Sequence, residues 1–309
     1  MTIVATSDYQ RLHDDAGLVD RSDRGKLLLT GADVAEFLQG QLTNDIEALA
    51  PSTGCYAALL THKGKLRADM RVLRGDDWLQ LDTEPATLAL VLKTMRMYSL
   101  GRDVRVADVT SERAILSLVG PAAAERLDVQ PPPVEHAFAE GEHGLYVRTD
   151  LGVDIVCAAA DVEAVRAEVD VEAVSDEAAE CVRIEAGRPR LGRDMDAGTL
   201  PAEAGINERA VSFTKGCYVG QETVARLHHR GRPNRHLRGL RLSVAAEAGE
   251  PIALGDRLVG RLGSTCVSPA LGPIALAIVR REVEPGEAVA VGENGTTADV
   301  VELPFRVVD

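Results

Sequence analysis

Short apolar segments separated by glycine and proline are the strongest constraint that this sequence places on its fold. They recur in the last quarter of the chain, at residues 237–244, 256–262, 274–280 and 288–291. Segments of this length and spacing are typical of strands in a small barrel or sandwich. The sequence therefore predicts a C-terminal β-barrel over residues 235–309, with a boundary near Asn234.

Before that boundary, the chain contains two stretches in which a strand, a glycine turn and a helix follow one another. In the first, an apolar run at 27–29 precedes Gly31 and a helical pattern. The apolar face of that pattern is formed by Val34, Phe37, Leu38 and Leu42. The second stretch, 114–127, repeats the order, with Pro121 in the first turn of its helix. Two related β-α units of this kind predict one shared core.

Further elements are predicted between the second β-α unit and the barrel. Residues 144–148 and 153–157 have the apolar pattern of strands. The stretch from Asp161 to Val182 is rich in alanine, glutamate and valine and is typical of helices. We expect these helices to serve as scaffold.

The composition fits an ordinary soluble globular protein. Of its 309 residues, 45% are apolar and 27% charged, enough for one large domain or two to three smaller ones. The formal net charge of −14 argues against nucleic-acid or anionic-membrane binding by the surface as a whole. The five cysteines are odd in number and form no C-x-x-C pair, which indicates neither a disulfide framework nor a cysteine-ligated metal centre. No leader or membrane-spanning pattern is found, and we expect a reducing, cytoplasmic location.

One octapeptide, K-G-C-Y-V-G-Q-E, has the features of a functional site. It comprises Lys215, Gly216, Cys217, Tyr218, Val219, Gly220, Gln221 and Glu222. Its two glycines permit tight or left-handed backbone, and its last residues begin a helix-forming run. A thiol near an ammonium and near the positive end of a helix dipole is expected to be reactive. The alternative is that Cys217 is a small buried apolar residue, which is the more common fate of a lone cysteine.

The octapeptide, called the cysteine motif below, resembles the signature K-G-C-[FY]-x-G-Q-E of the YgfZ-type folate-binding proteins. These are relatives of the T-protein (aminomethyltransferase) of the glycine cleavage system and of a mitochondrial iron–sulfur assembly factor. Three earlier segments resemble the family's first, second and third motifs: F-L-Q-G-Q-L-T-N-D-I at 37–46, H-K-G-K-L-R-A-D at 62–69, and R-I-E-A-G-R-P-R-L-G at 183–192, which continues to Gly205. Four motifs in one order are far more specific than any single short pattern. The chain is therefore identified as a member of this family.

The resemblance implies an α+β fold. A bipartite folate-binding region of antiparallel sheets with helices, in which one subdomain is inserted into another, precedes the C-terminal β-barrel. Applied to this chain, the folate-binding subdomain comprises residues 1–49 and 113–234, and an inserted ferredoxin-like subdomain comprises 50–112. The barrel at 235–309 matches the family's terminal domain.

The resemblance also implies tetrahydrofolate or a derivative as the cofactor and suggests two carboxylates that bind it. Glu185 matches the position at which the relatives place a carboxylate against the pterin ring, where it can accept two N–H bonds from an aminopyrimidine edge. Asp69 lies in a segment that lines the folate pocket and, in the T-protein, helps to activate the substrate. The alternatives are a surface ion pair of Glu185 with Arg183 or Arg188, and an exposed Asp69 paired with Lys65 or Arg71.

Other candidate site residues follow from the same motifs. Asn44, Gln41 and Arg183 are candidates for orienting the folate, although helix capping alone would explain the first two. Aromatic residues make up only 3% of the chain. The candidate stacking platforms are therefore Tyr98, Tyr146 and Tyr218, or the aliphatic walls Met70, Met95 and Met97.

A basic run follows the cysteine motif. Between Thr223 and Ala246 there is no acidic residue, while Arg226 and five further arginines occur. Arg226 is a candidate for binding the glutamate tail of a folate. The alternatives are contact with a macromolecular partner and a solvated basic linker. We do not predict direct RNA binding, because the aromatic residues needed for base stacking are missing. We predict no metal site either, since His228 and His229 lack a third ligand.

The cysteine separates functions within the family, because the T-protein proper lacks it and the YgfZ-type branch carries it. The resemblance therefore implies a folate-binding accessory protein for iron–sulfur cluster assembly or repair, with iron–sulfur machinery or client enzymes, including those that thiolate tRNA, as partners. Cys217, Lys215 and Asp69 would carry its chemistry. Two alternatives are a tetrahydrofolate-dependent aminomethyltransferase and a scaffold with a vestigial pocket.

Overall fold

The computed structural model describes residues 5–306 and divides them into two compact units. The sheet unit comprises residues 11–174 and 208–223, and the barrel unit comprises the described residues up to 10, 175–207 and those from 224 onward.

The chain alternates helices with antiparallel strands. The helices are α1 (Thr6–Asp14), α2 (Val34–Gln41), α3 (Pro85–Tyr98), α4 (Val162–Val169), α5 (Asp176–Glu185), α6 (Asn207–Ala210) and α7 (Gln221–Arg230), with a 3₁₀ turn at Ala159–Asp161. The strands before α4 are β1 (Gly17–Asp20), β2 (Gly25–Thr30), β3 (Thr53–Leu60), β4 (Leu66–Arg74), β5 (Trp78–Thr83), β6 (Arg105–Asp108), β7 (Arg113–Val119), β8 (Phe138–Gly141), β9 (Gly144–Arg148) and β10 (Gly152–Ala158). The later strands are β11 (Arg235–Leu242), β12 (Pro251–Leu254), β13 (Arg257–Ser268), β14 (Gly272–Arg280), β15 (Ala288–Val291) and β16 (Thr296–Val301).

The sheet unit contains two five-stranded antiparallel sheets. The first has the strand order β3-β4-β5-β2-β6, and the second has the order β1-β7-β10-β9-β8. Successive strand residues point to opposite faces, and the apolar set of the first sheet, which includes Ala57, Met70 and Leu81, packs with Val34 and Phe37 of α2 and with α3. The amphipathic helix predicted after Gly31 is therefore confirmed as α2.

The other face of the first sheet is polar and nevertheless buried. Arg71 on β4 donates to Asp82 on β5 at 2.6 Å and to Asp154 on β10 at 2.6 Å, so it joins the two sheets. Arg24 also donates to Asp82, at 2.8 Å. Buried charges are stable only when paired in this way, and one oxygen of Asp154 accepts a further bond from Ser117.

One predicted element is wrong. Residues 121–127, expected to be a helix, form successive turns in which the N–H of Ala123 bonds to Gly120 and that of Leu127 to Ala124. The segment is short and is followed by three consecutive prolines at 131–133. A helix of so few residues has little to offset its nucleation cost. The strands predicted at 114–119, 144–148 and 153–157 are confirmed as β7, β9 and β10.

The barrel unit ends in a closed six-stranded barrel of order β11-β14-β13-β12-β15-β16. Its interior is filled by alternate strand residues such as Leu240, Ile252, Val279 and Val300. The predictions of an α+β fold with antiparallel sheets and of a C-terminal barrel are confirmed. The division into a folate-binding subdomain and an insertion at 50–112 stays a prediction, and β2 lies in the same sheet as β3–β6.

Candidate functional site

Three of the four motifs meet in the sheet unit. The backbone N–H of Val219, in the cysteine motif, donates to the carbonyl of Gly40 in the first motif at 3.2 Å. A side chain added at Gly64, in the second motif, would reach within 3.0 Å of Thr223. The cysteine motif is therefore held between the first motif and the turn of the second.

The two glycines of the cysteine motif have different roles. Gly220 has a φ of 88°, and a Cβ there would lie 2.5 Å from the carbonyl oxygen of Thr61. Only glycine suits both the left-handed backbone and this close approach. Gly216 has no positive φ, and apart from its two neighbours in the chain no described atom lies within 4 Å of the place where its Cβ would be.

Cys217 is exposed on the turn that leads into α7. The N–H of Gln221, the first residue of α7, donates to the carbonyl of Tyr218 at 3.2 Å and closes this turn. Tyr218 itself is 7% exposed, and burial raises its pKa to about 12. The alternative of a small buried apolar Cys217 is therefore wrong, and Tyr218 is too buried to serve as a stacking platform.

Lys215 is a structural clamp in this arrangement. Its buried ammonium donates to the carbonyl oxygens of Gln39, Leu42 and Asn44, at 2.7, 2.8 and 2.6 Å. An ammonium has three N–H donors, so the carbonyls in the last turn of α2 and just after it use all of them. Burial lowers the pKa of Lys215 to about 8. We expected this ammonium to act on the neighbouring Cys217, but the structure directs it at the first motif.

Asp69 is a buried carboxylate with one free acceptor. It is 8% exposed, and its Oδ2 accepts a 2.6 Å hydrogen bond from the hydroxyl of Tyr56. Its Oδ1 is buried and has no hydrogen-bond partner in the described part of the chain. Burial raises the pKa of Asp69 and outweighs the hydrogen bond from Tyr56 and the charge of Arg24, which lower it. The alternative of an exposed Asp69 paired with Lys65 or Arg71 is wrong.

Tyr56 is a site residue that the sequence did not reveal. Its backbone carbonyl accepts a 2.8 Å bond from the Asn44 amide, which also reaches the carbonyl of Arg209 at 3.1 Å. The Arg209 guanidinium lies 5.5 Å from the centre of the Tyr56 ring, within the range of a cation–π contact. Asn44 therefore positions the residues around Asp69, and its side-chain oxygen accepts from the N–H of Asp45.

Glu185 lies at the end of α5 in the barrel unit. It is 8% exposed, and its Oε1 accepts a 2.9 Å bond from the hydroxyl of Tyr9. The thiol of Cys181, one helical turn earlier, donates to the same oxygen at 3.7 Å. Glu185 is therefore a buried carboxylate held among hydrogen-bond donors.

Arg183, which we expected to bind folate, is used within the barrel unit. Its guanidinium donates to Asp194 at 3.0 Å, to Glu180 at 3.0 Å and to Ser264 on β13 at 2.7 Å. These bonds fasten α5 to the third motif and to the barrel, so they assign Arg183 a structural role.

The remaining candidates differ in exposure. Tyr98, the last residue of α3, is 53% exposed, whereas Tyr146 is fully buried and donates to Glu168 at 3.2 Å. Arg226 is exposed on α7. Part of the basic run is neutralised inside the barrel unit, since Arg235 donates to Glu203 at 2.8 Å. Tyr98 and Arg226 therefore remain accessible to a ligand.

Neither a metal-binding group of side chains nor a membrane-spanning helix is found in the described part of the chain. Residues 5–306 contain no group of three or more His, Cys, Asp and Glu side chains arranged to bind a metal ion. None of the helices described is both long and apolar enough to cross a membrane.

The sequence is similar to several known proteins over most of its length. It is 29% identical to an aminomethyltransferase of Rubrobacter xylanophilus, over 97% of this chain and 85% of the relative. It is 29% identical to the tRNA-modifying protein YgfZ of Yersinia enterocolitica, over 80% of this chain and 76% of that protein. A putative chloroplastic transferase of Arabidopsis thaliana is 26% identical, over 93% and 71% of the two chains.

The fold and the domain families agree with these relatives. The crystal structure of glycine cleavage system aminomethyltransferase T from Bartonella henselae matches with a TM-score of 0.88 and 22% identity, over 97% of this chain and 89% of the other. The GCVT N-terminal domain matches residues 1–132, and the glycine cleavage T-protein C-terminal barrel domain matches residues 235–306. The chain therefore belongs to the glycine cleavage T-protein superfamily and is related to its YgfZ-type members.

Proposed function

We propose that the protein is a folate-binding accessory protein that supports the assembly or repair of iron–sulfur clusters through the thiol of Cys217. The observation that carries this proposal is the exposed Cys217 on a turn fixed by contacts with the first and second motifs. A thiol kept for packing would be buried instead. The relation to a tRNA-modifying YgfZ protein suggests tRNA-modifying iron–sulfur enzymes as clients.

Two residues meet the chemical requirements of a folate contact. The Glu185 carboxylate suits the N–H groups of an aminopyrimidine edge. The orphaned Oδ1 of Asp69 is a buried acceptor that lacks a partner until a donor binds. Tetrahydrofolate or a derivative would supply a one-carbon carrier. Tyr98 and Arg226 are exposed and are candidates for contacts with its rings and its carboxylate tail, whereas Asn44 and Arg183 hydrogen-bond to groups within their own units.

Because the cysteine motif contains a single thiol, only a few reactions are available to it. One thiolate can attack, be oxidised, form a mixed disulfide or lend one ligand to a cluster. Stable cluster binding takes four ligands, typically cysteines. We therefore propose that Cys217 acts on a cluster carried by another protein and that the cluster is cargo.

An aminomethyltransferase activity is the second candidate, and Asp69 favours it. A buried carboxyl group whose pKa is raised keeps its proton to a higher pH than an exposed one and is suited to proton transfer. The relative from Rubrobacter xylanophilus carries the name of that activity. The purified protein would then form methylenetetrahydrofolate from an aminomethylated lipoyl carrier protein, and Asp69→Asn would abolish this reaction. A wild-type preparation that forms no product would remove this candidate.

The proposed function is tested in a strain that lacks the gene. The activity of a [4Fe–4S] enzyme is measured under oxidative stress after rescue with wild type, Cys217→Ser or Cys55→Ser. Cys55 is the matched control, because it lies in the same unit but is mostly covered on β3. We expect wild type and Cys55→Ser to restore activity and Cys217→Ser to fail. Full rescue by Cys217→Ser would overturn the role of the thiol.

A further inference from the structure

Two buried cysteines of the barrel unit are in contact, although they are far apart in the sequence. Cys181 on α5 and Cys266 on β13 are 0% and 5% exposed, and the two sulfur atoms are 3.2 Å apart. Both are free thiols. The helix and the strand are already fastened to each other by the bond from Arg183 to Ser264, two residues before Cys266. The sulfur atoms are therefore held together by a rigid framework.

The surroundings supply a proton acceptor. Oε1 of Glu185 lies 3.7 Å from the sulfur of Cys181 and accepts its S–H. The neighbouring Cys266 thiol and burial raise the pKa of Cys181 far above its usual range. Cys181 is therefore a protonated thiol at neutral pH, and it needs a neighbouring base such as Glu185 to react.

We propose that Cys181 and Cys266 are an oxidisable dithiol that closes to a disulfide when a peroxide reaches the barrel unit. Cys266, the slightly more exposed of the two, attacks hydrogen peroxide; the O–O bond breaks, a sulfenic acid forms and one water leaves. Cys181 passes its proton to Glu185 and attacks the sulfenic sulfur. The S–S bond forms, and the departing hydroxide takes the proton from Glu185 to become the second water. Two thiols are thus oxidised and one peroxide is reduced.

The closure changes the surroundings of Glu185. In the reduced protein, one acceptor position of Oε1 is occupied by the Cys181 thiol, and another by the Tyr9 hydroxyl. The disulfide has no S–H, so Oε1 loses Cys181 as a donor and the charge of the carboxylate is shared among fewer hydrogen-bond donors. This consequence rests on the proposed folate contact of Glu185. We expect the oxidised form to bind a stable folate such as 5-formyltetrahydrofolate at least threefold more tightly than the reduced form.

Peptide mapping tests the dithiol directly. The full-length protein is treated with hydrogen peroxide, unfolded, alkylated and digested, and the cross-linked peptides are identified by mass spectrometry. We expect a Cys181–Cys266 cross-link in wild type and in Cys217→Ser, reversed by dithiothreitol and absent from Cys266→Ser. The proposal would be overturned if Cys181 and Cys266 are both found alkylated after a treatment that fully oxidises Cys217. A cross-link from Cys181 or Cys266 to Cys217 would overturn it as well.

Two further readouts separate this inference from the proposed function. A native-like disulfide between residues 85 positions apart should raise the melting temperature of wild type by about 5 °C, and a lowered melting temperature would contradict the contact geometry. Titration with 5-formyltetrahydrofolate tests the coupling. If the reduced and oxidised proteins bind with equal affinity, the proposed effect of the disulfide on folate binding is wrong, but the disulfide itself is not affected. If the reduced protein binds no folate, the proposed function is contradicted, and the cross-link is still decided by mass spectrometry.

Discussion

Among residues 5–306, the hydroxyl of Tyr56 is the only side-chain donor to the Asp69 carboxylate, since Oδ2 accepts its 2.6 Å bond and Oδ1 has no partner. The substitution Tyr56→Phe removes this donor and keeps the ring. A hydrogen bond to a charged group contributes about 1.5–3 kcal/mol to stability. We therefore expect Tyr56→Phe to lower the free energy of unfolding by about 2 kcal/mol at neutral pH.

The loss should depend on pH in a definite direction. Burial raises the pKa of Asp69 above its unfolded value, so the folded state binds more protons, and the stability contributed by Asp69 falls as the pH rises through that window. Without Tyr56, the pKa of Asp69 is raised further and the window extends upward. The stability difference between wild type and Tyr56→Phe should therefore be smallest in acid, where Asp69 is protonated in both, and largest at neutral pH.

Urea unfolding between pH 4.5 and 8 measures this difference. Trp78, the sole tryptophan, lies on β5 in the same sheet as Tyr56 and Asp69, and its fluorescence follows the sheet unit. The double-mutant cycle with Asp69→Asn is the control. In that background, Tyr56→Phe should cost about 1 kcal/mol or less at every pH. A cost that does not change with pH, or an equal cost in both backgrounds, would refute the reasoning.

Three further predictions concern the same unit. Lys215→Met should lower the free energy of unfolding by about 3 kcal/mol, because three carbonyls lose a charged donor. Lys65 is exposed and serves as the control. In the same urea titration, Lys65→Met should change the free energy of unfolding by less than about 0.5 kcal/mol. Gly220→Ala should lower the melting temperature strongly, because its Cβ would lie 2.5 Å from the Thr61 oxygen at a φ of 88°. The control, Gly216→Ala, should leave the melting temperature unchanged. Equal melting temperatures of the two variants would contradict the close contact at Gly220. Burial would raise the pKa of Asp82, but Arg71 and Arg24 outweigh it and lower this pKa from 3.8 to about 2. The folded state then binds fewer protons, so about 2 kcal/mol of stability should be lost as the pH falls from about 5 towards 1. Asp82→Asn should lack that part of the acid-induced loss, and an unchanged acid titration would show that Asp82 is not the group responsible.

The local patterns predicted β2, β7, β9, β10, four of the barrel strands and α2, because burial on one face leaves a repeat in the sequence. The same logic failed to place Asp69. On β4, Arg67, Asp69 and Arg71 alternate with apolar residues, which is typical of a strand with one face in water. The second sheet covers that face, as the bond from Arg71 to Asp154 shows. This cover comes from a distant part of the chain, and no local pattern reports it.

Tyr56 could have been found by pairing β3 with β4 across the turn of the second motif. In the antiparallel register, Ala58 lies opposite Asp69 and Tyr56 lies opposite Arg71. Tyr56 and Asp69 are thus diagonal neighbours on one face, within reach of a long side chain. Lys215 offered no such signal, because its carbonyl partners lie more than 170 residues earlier in the chain. The role of its ammonium depends on the tertiary fold.

Folate binding at Glu185 is the part of the proposed function that can be measured most directly on the purified protein. Calorimetric titration of the reduced protein with 5-formyltetrahydrofolate compares wild type with Glu185→Gln and with Glu177→Gln, an exposed control on the same helix. Wild type and Glu177→Gln should bind equally, and Glu185→Gln should bind at least about tenfold more weakly, because the carboxylate is replaced by a neutral amide. Wild-type protein that binds no folate, or Glu185→Gln that binds as tightly as wild type, would contradict the account.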